Sequence, residues 1–150
     1  MASKSCLQES HYRHILNFFY FLFLDETMAL QASTSAAHKL QKQARKSAKA
    51  NVSLDVELIR IVRYVARHFT KNTRRQPARK LLDAWTVPPV SAQNAWRELV
   101  RDADTEIVMT AIAHLLLGYD EATIGQAWSI TEGTVLYRSG HALGMLGRRE

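Results

Sequence analysis

Five cations, Arg60, Arg63, Arg67, Lys71 and Arg74, recur at steps of three and four residues. At 100° per residue on a helix they fall on one line, between about 140° and 220° from Leu58. No carboxylate shares that arc. Neighbours one turn apart therefore repel, unless a polyanion such as nucleic-acid phosphate neutralises them. His11 and His14 also stand one turn apart, but no third ligand at a matching spacing joins them, so no metal is expected. No nucleophile, base and orienting acid share a signature spacing, and no glycine-rich phosphate loop follows a strand. Neither an enzyme nor a cofactor is expected.

The element that must carry the cations reads as a helix. Ser53 is a plausible N-cap, and Asp55 and Glu57 sit near the positive end of the helix dipole. Leu58, Ile61, Val62, Val65 and Phe69 fall within about 60° of one another's mean and form the predicted buried stripe, opposite the cations. An earlier helix runs from His11 to Leu24, with Ile15, Leu16, Phe18, Phe19, Leu22 and Phe23 on its core face. Tyr20, Phe21 and Leu24 lie outside that stripe, so the helix is apolar nearly all round and a second surface for a partner is expected. Asp25-Glu26 directly after the apolar run argues against an export signal.

The whole chain has 150 residues, a 47% hydrophobic and 23% charged composition, and a net charge of +6. These are globular proportions. Its longest apolar run is about ten residues, where a membrane span needs about 20. A lone Cys6 fits a reducing, cytoplasmic setting. Between Lys39 and Lys80 thirteen Lys and Arg face two acids, Asp55 and Glu57, whereas Trp96 to Glu132 is acidic. Two electrostatically unlike halves imply two tasks. All three prolines, Pro77, Pro88 and Pro89, fall between Gln76 and Pro89. The expectation is an all-α chain of two small domains, 1–75 and 94–150, joined by a proline-containing linker over 76–93.

In the second domain, Ile107, Val108, Ala111, Ile112 and Leu115 mark one amphipathic helix, ended by Gly118. A second runs from Glu121 to Trp128 with Asp120 as its cap, and a third begins at Glu132 behind the cap Thr131. Two short helices around a tight turn form a helix-turn-helix of the kind that enters a major groove.

The stretch GYDEATIGQAWSITEGTVLYRSGHAL resembles the region-4 helix-turn-helix of bacterial sigma factors, through Gly118, Ile124, Ile130, Glu132, Gly133, Thr134, Val135 and Arg138. ELIRIVRYVARHFTKNTRR is similar to the DNA-facing helix of sigma region 2, and YRHILNFFYFLFLDE stands where that domain's first helix should. The layout resembles the small extracytoplasmic-function sigma group.

That resemblance implies a transcription initiation factor that binds core RNA polymerase and promoter DNA, with an anti-sigma or other regulatory partner. It implies DNA contacts from Arg60, Arg63, Arg67, Lys71, Arg74 and Arg75, and from Thr134, Tyr137, Arg138 and His141. Tyr20, Phe21 and Leu24 are the expected partner-binding residues. The chain also departs from the family. TMALQASTSAAHKL offers Gln31 but no acid pair, and Gly140, Gly144 and Gly147 interrupt the recognition helix at about 1 kcal/mol each against alanine. These departures favour an alternative, a sigma-like interaction protein that binds polymerase or a regulator without directing initiation.

Overall fold

Asp25 decides where the first turn of the chain ends. Its carboxylate accepts the Met28 N–H at 2.8 Å, which starts a long helix immediately after a short one. A computed structural model describes residues 7–50, 53–69 and 90–147, and these are helical with no strand among them. Contacts cluster into two units, Met1–Trp85 and Thr86–Glu150.

The first unit holds α1 (Glu9–Phe23), α2 (Glu26–Ala50) and α3 (Leu54–His68), each packed on the other two. Ile15, Leu16, Phe18, Phe19 and Leu22 of α1 are buried, as the periodicity predicts, while Phe23 is half-buried. Opposite them α2 presents a stripe of small residues, Ala29, Ala32, Ser33, Ala36, Ala37 and Ala44, broken by Leu30 and Leu40. Large side chains on one helix meet small ones on the next, so the backbones come close enough for the Ser33 hydroxyl to reach the Ile15 carbonyl at 3.5 Å.

Helix α3 departs in register from its predicted stripe. Leu58, Val62 and Val65 are buried, but Ile61 is only half-buried, and Val56, Glu57 and Ile59 join the core. The stripe is rotated because α3 faces both α1 and α2, which widens its buried arc toward Ile59. The helix ends at His68. Phe69 is extended (φ −72, ψ 129), and its ring packs on Phe23 with centroids 5.1 Å apart. Ser53 precedes α3 without a side-chain cap hydrogen bond.

The second unit holds α4 (Val90–Asp102), α5 (Thr105–Ala111) with its π-helical continuation Ile112–Leu116, α6 (Glu121–Trp128) and α7 (Glu132–Gly147). Helix α4 begins inside the 76–93 stretch expected to be linker; residues 76–89 of that stretch lie outside the described residues. The core comprises Trp96, Leu99, Val108, Met109, Ile112, Ile124, Trp128 and Val135. Gly118, at φ +81, closes the π-helical segment and lets the Tyr119 N–H reach the Ala113 carbonyl at 3.1 Å.

Both boundaries around the next turn fall where the sequence puts them. Asp120 accepts the Thr123 N–H at 2.8 Å and Thr131 accepts the Thr134 N–H at 3.0 Å. Between the helices Ser129 is left-handed (φ 56), and the Ile130 N–H donates to the Gly125 carbonyl at 3.1 Å. A Cβ on Gly125 would stand 2.8 Å from the Ile130 carbonyl oxygen, so only glycine lets the turn fold back this tightly. Gly125→Ala, which would strengthen an isolated helix, should instead destabilise this unit by about 1–3 kcal/mol, the range for forced overpacking. Denaturant unfolding of the full chain measures it, and an unchanged or raised midpoint would contradict this account of the turn.

Candidate nucleic-acid interface

The cationic surface is built by two helices. On α3, Arg60 and Arg67 are exposed and Arg63 is half-buried. Lys71, Arg74 and Arg75 lie outside the described residues. Arg60 forms an ion pair with Glu57, whose carboxylate is buried one turn earlier, so the cation line is not free of acids as its arc alone implies. The buried carboxylate and the arginine satisfy each other, which anchors the head of Arg60 at the rim of the helix.

Tyr64 stands between these arginines with its ring exposed, stacked on His68 at 4.2 Å between centroids. The ammonium of Lys39, one helix away on α2, sits 5.3 Å from the centre of the Tyr64 ring. Gln43, Glu57, Arg60, Ile61 and Tyr64 line an open groove of about 260 Å³ where α2 and α3 meet. Lys42, Arg45 and Lys46 continue the exposed cations along α2. Sequence reasoning missed Tyr64, His68 and Lys39 as parts of one surface. The periodicity held a partial signal, since Tyr64 lies about 20° beyond the edge of the cation arc. Lys39 carried none, because α2 meets α3 only through tertiary packing.

On α1, Tyr20, Phe21 and Leu24 are half-buried, with Tyr20 and Phe21 edge to face at 5.7 Å. Leu24 takes the left-handed conformation (φ 53) and caps the helix, its N–H donating to the Tyr20 carbonyl at 2.7 Å. The three are brought together at one end of α1.

Helix α7 has three faces. Val135, Ser139 and Ala142 are buried. Thr134 is half-buried, whereas Tyr137, 68% exposed, and His141 project outward with ring centroids 6.1 Å apart. Arg138 does not join them. Its side chain is only 20% exposed and its guanidinium lies 3.6 Å from the Glu106 carboxylate on α5. Leu136, Leu143, Gly133, Gly140 and Gly147 form the remaining exposed face.

The fold also assembles a chain of groups that no sequence spacing reveals. His114 hydrogen-bonds through Nδ1 to the Ser139 hydroxyl and through Nε2 to the Glu121 carboxylate, both at 2.8 Å. A carboxylate only accepts, so Nε2 carries the hydrogen there. Ser139 is 3% exposed, so the chain of bonds fastens the π-helical segment to α6 and α7 rather than presenting a hydroxyl to the surface. Among the described residues no three His, Cys, Asp or Glu converge as a metal would require. Among them, too, no helix is long and apolar enough to cross a membrane. No family model matches the chain, and neither a curated protein nor a solved structure matches it.

The Asp120 cap carries its own pH dependence. The Thr123 backbone N–H, then its hydroxyl, hold the Asp120 carboxyl below its ordinary value of 3.8. The folded state thus favours the ionised form. The stability this confers is present above 3.8 and is lost as the pH falls through the lower folded value. Asp120→Ala should therefore lower the melting temperature at neutral pH, with the deficit shrinking in acid. Thermal melts of both proteins across that range test it, and a deficit independent of pH would remove the cap from the explanation.

Proposed function

We propose that the chain is a sigma-type transcription factor that works in the cytoplasm with core RNA polymerase. On this reading the two helical units are separate modules, and α6, the turn 129–131 and α7 form a helix-turn-helix. The observation that carries the proposal is the surface of α2 and α3, where Lys39, Arg60 and Arg67 surround the exposed Tyr64 and His68. Cations hold phosphate and an exposed aromatic ring stacks on a base, the combination that binds opened single strands. Lys71, Arg74 and Arg75 extend the same charge in sequence. Thr134, Tyr137 and His141 would meet duplex DNA from α7, and Arg138 would support the helix through Glu106.

A second reading, a sigma-like interaction protein that does not direct initiation, is favoured by the outward apolar face of α7, where Leu136 is 52% and Leu143 54% exposed. Tyr20, Phe21 and Leu24 would then take the polymerase or a regulator, such as an anti-sigma protein. Mixing the purified chain with core polymerase and assaying promoter-dependent transcription separates the two. Transcription supports the first reading, a silent complex supports the second, and no complex at micromolar concentrations removes both.

The salt dependence of single-strand binding tests the surface itself. Each phosphate contact contributes a slope of about 0.7 in log affinity against log salt. Arg67→Gln and Lys39→Gln should each flatten the slope by about that amount, and Arg138→Gln should leave it unchanged. Equal effects from all three would show that only net charge matters. No slope at all would return α3 to a solvated face.

A further inference from the structure

Helix α7 spends three glycines on a face that the single chain does not use. A Cβ added to Gly140 or Gly147 would meet nothing within 4 Å, and one on Gly133 would meet only the Thr131 hydroxyl at an ordinary 3.8 Å. None of the three needs a left-handed backbone, since Gly118 is the glycine at positive φ. Glycine weakens a helix interior, so within one chain these positions cost stability and return no packing. Their spacing supplies the reason. Gly133, Leu136, Gly140, Leu143 and Gly147 step by three, four, three and four, a heptad seam with glycine at one position and leucine at the other. Both leucines are more than half exposed, among the most exposed large apolar side chains of the described residues. A seam of this kind suits a second helix at close range, the glycines letting the backbones approach and the leucines covering one another on either side of the crossing.

We propose that α7 pairs antiparallel with α7 of a second copy of this chain, with Gly140 crossing Gly140 on a two-fold axis. The spacing argues for a second copy over any other helix. Reversed about Gly140, the seam reads glycine, leucine, glycine, leucine, glycine again, which is the self-complementarity a two-fold interface requires. Charge argues the same way. The seam carries no charged residue, so two copies of a +6 chain approach here without like charges meeting. Antiparallel pairing brings Glu132, which opens α7, to the far end of the partner helix, away from the other copy's Glu132. Parallel pairing would set Glu132 against Glu132. The seam lies about 100° around the helix from the arc of Thr134, Tyr137 and His141, so the pairing is independent of the nucleic-acid reading and leaves that arc open.

Sedimentation of the full chain should show a monomer–dimer equilibrium at micromolar concentrations. Leu136→Glu and Leu143→Glu, which alter only exposed positions, should each weaken the dimer by about tenfold or more without lowering the melting temperature of the dilute monomer. Gly140→Ala separates this proposal from a structural role of the glycine. It should raise the monomer's melting temperature while weakening the dimer, because the new methyl strengthens one helix and pushes two apart. In a Cys6→Ser background, Gly140→Cys should oxidise to a disulfide-linked dimer, since the two-fold axis sets its own copy within disulfide range. Gln126→Cys, exposed on α6 and off the seam, should not. A monomer at every concentration would overturn the proposal. So would a dimer indifferent to the two glutamates, cross-linking equal at both cysteines, or association only with a different helical protein.

Discussion

How closely two helices approach is the constraint on which both units depend, and residues without bulk set it. In the first unit the alanines of α2 let the aromatic side chains of α1 fill the space between the backbones, so Phe18 and Phe19 are fully buried in a three-helix unit. In the second, Gly125 lets the backbone at Ile130 fold against α6, and the angle between α6 and α7 follows from that contact. Bulk added at either place pushes apart elements whose remaining contacts assume the short distance, which is why overpacking costs more than the added methyl gains.

Close packing in the first unit also governs its electrostatics. With α3 held against α2, cations from two helices share one surface, and their repulsion has to be offset within the fold. Two devices do this. The buried Glu57 takes Arg60, and the Tyr64 ring offers its negative face to Lys39, an interaction worth about 0.5–1 kcal/mol at an exposed site. The exposed cations of α2 and α3 still share one positive surface, which on the proposed reading is the field that draws an anion. The exposed Tyr64 ring inside that surface is what favours the proposed reading over a merely solvated helix face.

Legibility in the sequence tracked the range of the interactions. The limits of α6 and the start of α7 could be read from the sequence because Asp120 and Thr131 cap their helices through partners three positions away. Burial on α1 was nearly as plain, since its contacts are mainly with α2 and only Phe23 of the predicted stripe is half-buried. The register of α3 was less so, because it packs on two helices and a single stripe does not describe it. The π-helical segment was hidden for a different reason. One wide turn, in which the Leu117 N–H bonds back to Ile112 at 2.9 Å, breaks the 3.6-residue period, so Met109 and Ala113 are buried while Ile107 and Leu115 are only half-buried. The same wide turn carries His114 to Ser139 and Glu121. Arg138 was the least legible position at the site. Its match to a motif says nothing of Glu106, which lies on another helix and turns the guanidinium inward.

The inward turn of Arg138 changes what α7 would ask of DNA on the proposed reading. A bidentate arginine–guanine contact is worth about 1–3 kcal/mol of discrimination, and no other side chain on the exposed arc replaces it. Thr134, Tyr137 and His141 offer hydroxyls, a ring and an imidazole, so on that reading a single α7 would discriminate weakly. Two copies change the arithmetic, because free energies add and selectivities multiply when both helices engage one duplex. Symmetry decides whether they do. In an antiparallel pair the two-fold axis stands normal to the plane that contains both helices, and a direction along that axis maps onto itself. An arc about 100° from the seam points nearly along it. Both reading arcs therefore face the same side, and the glycine seam that weakens each helix alone would place two weak readers against one surface.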